Sequence, residues 1–146
     1  MAVMTQTAQR YKVIERIDAG GMAEVFKGTV TSIQGFEKLV AIKRILPNLT
    51  EDGRFVRMFL DEAKISLHLN HTNIVQTFDI GNSAGTYFIV MEFVDGMNLK
   101  HLLNGLLERG RAVPPEIAVY IAMEVCKGLT FAHDFTTPDG TKLGLV

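Results

Sequence analysis

Residues 38–45, KLVAIKRI, put a positive charge where a strand should be burying hydrocarbon. The run is rich in β-branched side chains and is stopped by Pro47, so it reads as a strand. Alternate residues of a strand share a face. Leu39, Ala41 and Lys43 therefore point one way, and Val40, Ile42 and Arg44 the other. A lysine after Val-Ala-Ile is costly unless something anionic meets it. Taken alone, Lys43 reads equally as a strand-end lysine whose ammonium reaches back to water.

Glu62 alters that balance. A helix is expected to follow the strand, capped by Thr50, with Glu51 and Asp52 in its first turn at the positive end of the dipole, and to run to about Leu69. The positions three and four away from Glu62 are Met58, Phe59, Ile65 and Ser66, with Phe55 and Leu69 a further turn off. This spacing sets Glu62 in the middle of the apolar face and turns Asp61 away from it. A carboxylate in a core-facing stripe needs a cation, and the preceding strand offers one. The pattern predicts a Lys43–Glu62 ion pair bridging sheet and helix; the alternative is two unrelated surface charges. Desolvation offsets much of the attraction in such a pair. Its better use is geometric, holding an ammonium group beside a ligand phosphate.

The neighbouring segments extend the sheet. "YKVIERI" (Tyr11–Ile17) and "AEVFKGTV" (Ala23–Val30) read as a hairpin joined at Gly20-Gly21. After a break at "NHTN", "IVQTFDIG" and "TYFIVMEFV" form a second hairpin around Asn82 to Gly85. Beyond the Asp95-Gly96 link the character changes to helices, Leu99–Arg109 and Pro115–His133, the second opening on prolines. Strands followed by helices give an α+β fold in two lobes, a five-stranded antiparallel sheet with one helix and then a helical portion.

Composition narrows the class. The 146 residues suffice for one domain with a real core, and 47% hydrophobic against 21% charged residues is a globular balance. A net charge of −1 calls for neither nucleic acid nor acidic lipid. Cys126 is the only cysteine, which points to a reducing compartment and to burial as a small hydrophobe among Ala122, Val125 and Leu129. The opening "MAVMTQTAQR" lacks the character of a signal peptide, and no apolar run approaches a membrane span, so a soluble cytoplasmic chain is expected. The four histidines, His68, His71, His101 and His133, lack the spacing of a metal set, and His71 is expected to brace the turn after the helix. The helix "EIAVYIAMEVCKGLTFAH" is apolar almost all round, interrupted in its middle only by Glu124 and Lys127. Such a helix is normally enclosed by protein. The remaining residues, which end on the strand-like "LGLV", cannot enclose it, so a piece of a larger domain is expected, with burial in an oligomer as the alternative.

The glycine turn, "VAIK", "FLDEA", "NHTNIV" and "YFIVMEFVDGMNL", in this order and spacing, together resemble the first half of a bacterial serine/threonine protein kinase domain of the Hanks type. The likeness covers Tyr11 to Val146. It implies a tail at 1–10, an N-lobe at 11–93, a hinge at 94–97 and an incomplete C-lobe start at 98–146. Further, it implies that Lys43 contacts the α- and β-phosphates of ATP, with Glu62 its partner from the C-helix. Ile17, Val25 and Ala41 would roof the adenine, Met91 would be the gatekeeper, and Glu92 and Val94 would give the hinge carbonyl and N–H. Asp95 and Asn98 would lie along the path of ribose or peptide. On the kinase flap, Gly20 matches the middle glycine, while Asp18 and Ala23 stand at the first and third positions. The N–H groups of Ala19, Gly20 and Gly21 are then free to face phosphate. A carboxylate at Asp18 repels ATP unless it turns outward. In isolation the stretch is more often an ordinary hairpin.

The resemblance also implies what these residues lack. The family's "HRD" loop with its asparagine, and "DFG", supply the base and the ligands for Mg²⁺. "TPDGTKLGLV" stands where that loop should begin, and "HDF" at His133–Phe135 closes a helix with no asparagine at the needed distance. The expectation is the ATP-binding part of an enzyme that phosphorylates protein serine or threonine, truncated before the catalytic loop and inactive alone. A non-enzymatic pseudokinase or partner-binding scaffold, and an unrelated α+β binding domain, are the alternatives.

Overall fold

The structure, a computed structural model, describes residues 10–32, 34–137 and 140–142. Nearly all of the expected tail at 1–10 and the closing "LGLV" lie outside the described residues. The fold divides into two compact units, one running through Asn70 and resuming at Val75–Phe93, the other combining His71–Ile74 with the chain from Val94 onward.

The first unit is a five-stranded antiparallel sheet in the order β1-β2-β3-β5-β4. Its strands are β1 (Tyr11–Ala19), β2 (Ala23–Thr31), β3 (Glu37–Ile45), β4 (Thr77–Ser83) and β5 (Thr86–Glu92), and helix α1 (Gly53–His68) lies between β3 and β4 in sequence. Phe59 and Ala63 of α1 pack with Ala23, Ile45 and Ile89 in one core cluster. A second cluster on the opposite sheet face joins Val40, Ile42, Phe88 and Val90 to Tyr11, Phe26 and Val30. The alternation read from KLVAIKRI is thus the alternation of the two clusters.

The start of α1 differs from the sequence expectation. Pro47 opens a 3₁₀ turn, Pro47–Leu49, which Thr50 closes by donating its hydroxyl to the Pro47 carbonyl at 2.7 Å. That turn consumes Thr50, and Asp52 becomes the N-cap, its carboxylate accepting from the Arg54 N–H at 2.9 Å. This backbone bond, and then the Arg54 guanidinium, hold Asp52 below its usual carboxylate range. Glu51 precedes the helix as well, so the first turn carries no acid.

In the second unit, α2 (Leu99–Leu107) is capped by Asn98, and α3 (Pro115–Asp134) follows. The α2 helix stops short of Arg109 because the chain turns at Gly110, whose φ of 63 is left-handed and whose N–H bonds the Leu107 carbonyl. The two charges inside α3 have a structural purpose. Glu124 accepts from the Asn73 side-chain amide at 2.8 Å and from Lys127 at 2.5 Å, pinning the 71–74 turn against the helix. Lys127 first, then Asn73, keep Glu124 below the ordinary carboxylate range. His71 braces the same turn, accepting from the Asn73 N–H and stacking on Phe131 at 5.1 Å.

Only Gly128 and Ala132 of α3 are buried. Cys126 is exposed, contrary to the burial expected of it. It lines an open apolar groove of about 710 Å³ with Val119, Ala122, Met123 and Phe131. Among the described residues no helix is long and apolar enough to cross a membrane.

Two predictions follow from the packing of the sheet. A Cβ at Gly28 would lie 2.6 Å from the Lys12 carbonyl and 2.7 Å from Ile42 Cδ1. Gly28→Ala should lower stability in urea denaturation by about 1–3 kcal/mol, the overpacking range. The Tyr11 hydroxyl donates to Asp79 at 2.6 Å; burial first, then the Asp79 carboxylate, push the phenol up to about 12 from 10.0. The stability this contributes is complete below pH 10 and is lost as pH rises towards 12. Phenolate absorbance should show this late ionisation, and Asp79→Asn should bring it back towards 10.

Candidate functional site

Strand register assembles the site. Val25 pairs with Lys43, and Lys43 with Ile89. One step along, Lys27 pairs with Ala41, and Ala41 with Met91. Directly paired residues project to the same side, so Val25, Ala41, Lys43 and Met91 share one sheet face with Ile45 and Ile89, which pack on α1. Ala41 is buried, Val25 and Met91 partly so.

At the end of this surface, Lys43 Nζ donates to Glu62 Oε1 at 2.6 Å. The Phe59 ring lies under the ammonium at 6.0 Å. The structure brings the two charges together, with one difference from the sequence reading. The buried stripe of α1 runs through Phe59 and Ala63, and Met58 is 56% exposed, so Glu62 stands on the shoulder of the apolar face and not at its middle. Its side chain is 51% exposed and that of Lys43 26%. A lysine held this way presents an anchored ammonium that water and a ligand can still reach.

The glycine turn closes by a bond from the Gly20 N–H to the Ala23 carbonyl at 2.8 Å, and the Leu46 N–H holds the Met22 carbonyl at 3.0 Å. Neither Gly20 nor Gly21 has a positive φ, so the turn does not require the permissive backbone that the sequence suggested for it. A Cβ at Gly21 would meet nothing within 4 Å, and one at Gly20 only the Ala23 carbonyl at 3.7 Å. What the two glycines supply is open space over the backbone, which suits close approach of a phosphate. Asp18 turns its carboxylate onto the adjacent Ala19 N–H at 2.8 Å, so that, with the Gly20 N–H on the Ala23 carbonyl, two of the three amides expected to face phosphate are already bonded. Ile17 is 46% exposed, between two residues where the register of β1 on β2 slips. Glu92 closes β5 with its N–H on the Gln76 carbonyl at 2.8 Å. Val94 and Asp95 are exposed residues of the second unit. Asn98 caps α2, its side-chain carbonyl accepting from the His101 N–H at 2.9 Å.

Sequence reasoning missed a third charged group on the sheet. Glu24 accepts from Arg16 and from Arg44, each at 3.1 Å. The β3 alternation puts Arg44 opposite Lys43, but the slips in β1 hide the contribution of Arg16 from any period-two reading.

A five-stranded antiparallel sheet carrying one helix, tied to it by a strand lysine and a helix glutamate beside a glycine turn, is the arrangement of a protein-kinase N-lobe. The chain belongs to the protein tyrosine and serine/threonine kinase family, whose model matches residues 11–137. It is 38% identical over 136 residues to the tyrosine-protein kinase MasK of Myxococcus xanthus, covering 93% of this chain and 21% of that protein. With the serine/threonine-protein kinase PrkC of Bacillus subtilis it shares 33% identity over 135 residues, 91% of this chain and 19% of PrkC. The kinase domain of Mycobacterium tuberculosis PknI superposes with a TM-score of 0.64 at 28% identity, over 85% of this chain and 48% of that one. The chain thus spans about a fifth of the length of the curated relatives it matches.

An exposed or half-exposed ion pair is worth about 0–1 kcal/mol. Glu62→Gln should therefore leave the thermal midpoint of the chain within a few degrees of its original value, as read by circular dichroism.

Proposed function

We propose that the first unit binds ATP on the sheet face that carries Val25, Ala41, Lys43 and Met91. The observation that carries this reading is the 2.6 Å Lys43–Glu62 pair, set on that face next to an open glycine turn. Lys43 contacts the α- and β-phosphates and Glu62 keeps its ammonium in place. The backbone of Ala19, Gly20 and Gly21 covers the phosphates. Ile17, Val25 and Ala41 roof the adenine, Met91 closes the back of the pocket, and the backbone at Glu92 and Val94 takes the adenine edge. In this reading residues 11–93 are the N-lobe, 94–97 the hinge and 98–146 the start of the C-lobe, in a cytoplasmic protein.

In the whole protein the reaction is transfer of the ATP γ-phosphate to a protein serine or threonine. The relative named as a tyrosine-protein kinase makes a tyrosine acceptor the second reading. Mg²⁺, when bound in the whole protein, would supply positive charge that offsets the phosphates. The residues here fit the nucleotide and not the metal, for the sequence holds no "DFG" and no catalytic-loop asparagine. Phosphoryl transfer depends on positioning and electrostatics, so these 146 residues by themselves hold nucleotide without turning it over.

Calorimetric titration of the chain with ATP tests the reading. Lys43→Ala should weaken binding by about tenfold or more, the worth of a hydrogen bond to a charged group. Labelled ATP should give no transfer to peptide. ATP binding that is indifferent to Lys43→Ala would overturn the site.

A further inference from the structure

We propose that Glu24 is a positioning residue that fixes the height of the glycine turn above Lys43, acting from the far side of the sheet. This inference rests on the nucleotide site proposed above. Glu24 is the second residue of β2, directly after the turn, and pairs in register with Ala19 on one side and Arg44 on the other. Its two carboxylate oxygens are divided between neighbouring strands. Oε1 accepts from Arg16 of β1 and Oε2 from Arg44 of β3, each at 3.1 Å. The Glu24 side chain is only 15% exposed, and the Arg44 guanidinium lies 4.6 Å from the centroid of the Phe26 ring, which stiffens the strap.

The three strands so joined are the ones that carry the flap and its floor. β1 enters the turn, β2 leaves it, and β3 bears Lys43 next to Arg44. Because Glu24 and Arg44 stand on the face opposite Val25 and Lys43, the strap cannot touch a ligand bound on the Lys43 face. The turn itself is fastened by few backbone bonds, Gly20 N–H to the Ala23 carbonyl and Leu46 N–H to the Met22 carbonyl. The slips in β1 on β2 loosen the pairing just where the flap begins. One carboxylate with two arginines on adjacent strands supplies the cross-tie that this ladder lacks. Removing its charge leaves two guanidinium groups facing each other across β2, so the flap rises.

The test uses Glu24→Gln, which keeps the shape and removes the charge, with Glu15→Gln as a control, since Glu15 makes only a 3.9 Å contact to Lys27. Amide hydrogen exchange on the nucleotide-free chain should show Gly20 to Glu24 exchanging at least about tenfold faster in Glu24→Gln and unchanged in Glu15→Gln. Titration with ATP and with adenosine should show ATP binding weakened about five- to twentyfold and adenosine binding unchanged, a split that general destabilisation would not produce. Glu24→Asp, which keeps the charge, should recover part of the ATP affinity. Unchanged exchange in Glu24→Gln overturns the inference, as does an equal loss for ATP and adenosine. Should the unsubstituted chain bind neither ligand, the nucleotide site fails, and the exchange result alone decides whether Glu24 ties the flap.

Discussion

The placement of one ammonium group organises this protein's first unit. Lys43 sits in the middle strand of the sheet, and its position is set by Val25 and Ile89 on either side and by Glu62 from α1. The core beneath is small, built from Ala23, Ile45, Phe59, Ala63 and Ile89. It fixes α1 against the sheet, and the helix in turn delivers the carboxylate. The pair adds little stability, being half in solvent. Its worth is that a flexible side chain acquires one orientation while remaining accessible.

The opposite sheet face is built differently. There Tyr11 and Phe26 pack against a cluster that includes Ile42 and Phe88, with Tyr11 meeting Phe88 at 5.9 Å in a T-shaped contact. Gly28 and Gly81 lie under Ile42 and Phe88, where a methyl group has no room. Charge on this face includes the Arg16–Glu24–Arg44 group, the Tyr11–Asp79 bond and Lys38, whose ammonium lies 4.3 Å from the centroid of the Phe78 ring. The Glu24 carboxylate joins the consecutive strands β1, β2 and β3 beside the glycine turn, whereas the Tyr11–Asp79 bond ties together the two outer strands, β1 and β4, sixty-eight positions apart.

Much of this was legible in the sequence because strand and helix periods are strict. The alternation in KLVAIKRI located both clusters, and the spacing around Glu62 located its partner across nineteen positions. The fold class, the two hairpins and the long helices followed from the same patterns. The misreadings share a cause, which is competition between local structures. Pro47 claimed Thr50 for a 3₁₀ turn and moved the helix cap to Asp52. Burial of Cys126 was inferred from apolar neighbours in sequence, whereas α3 buries only Gly128 and Ala132 among the described residues. Glu24 escaped notice since register slips in β1 break the period that would have brought Arg16 to its side. Glu124 looked like an interruption of an apolar helix until Asn73, fifty-one positions away, supplied its partner.

The claim that Lys43 is a nucleotide-facing ammonium can be measured without any substitution. An acyl-phosphate derivative of ATP delivers its acyl group to an amine held at the phosphates, and peptide mass spectrometry then locates the modified lysine. The account predicts acylation concentrated at Lys43 and suppressed by excess ATP. Labelling spread over exposed lysines such as Lys64 and Lys142, and insensitive to ATP, would contradict it.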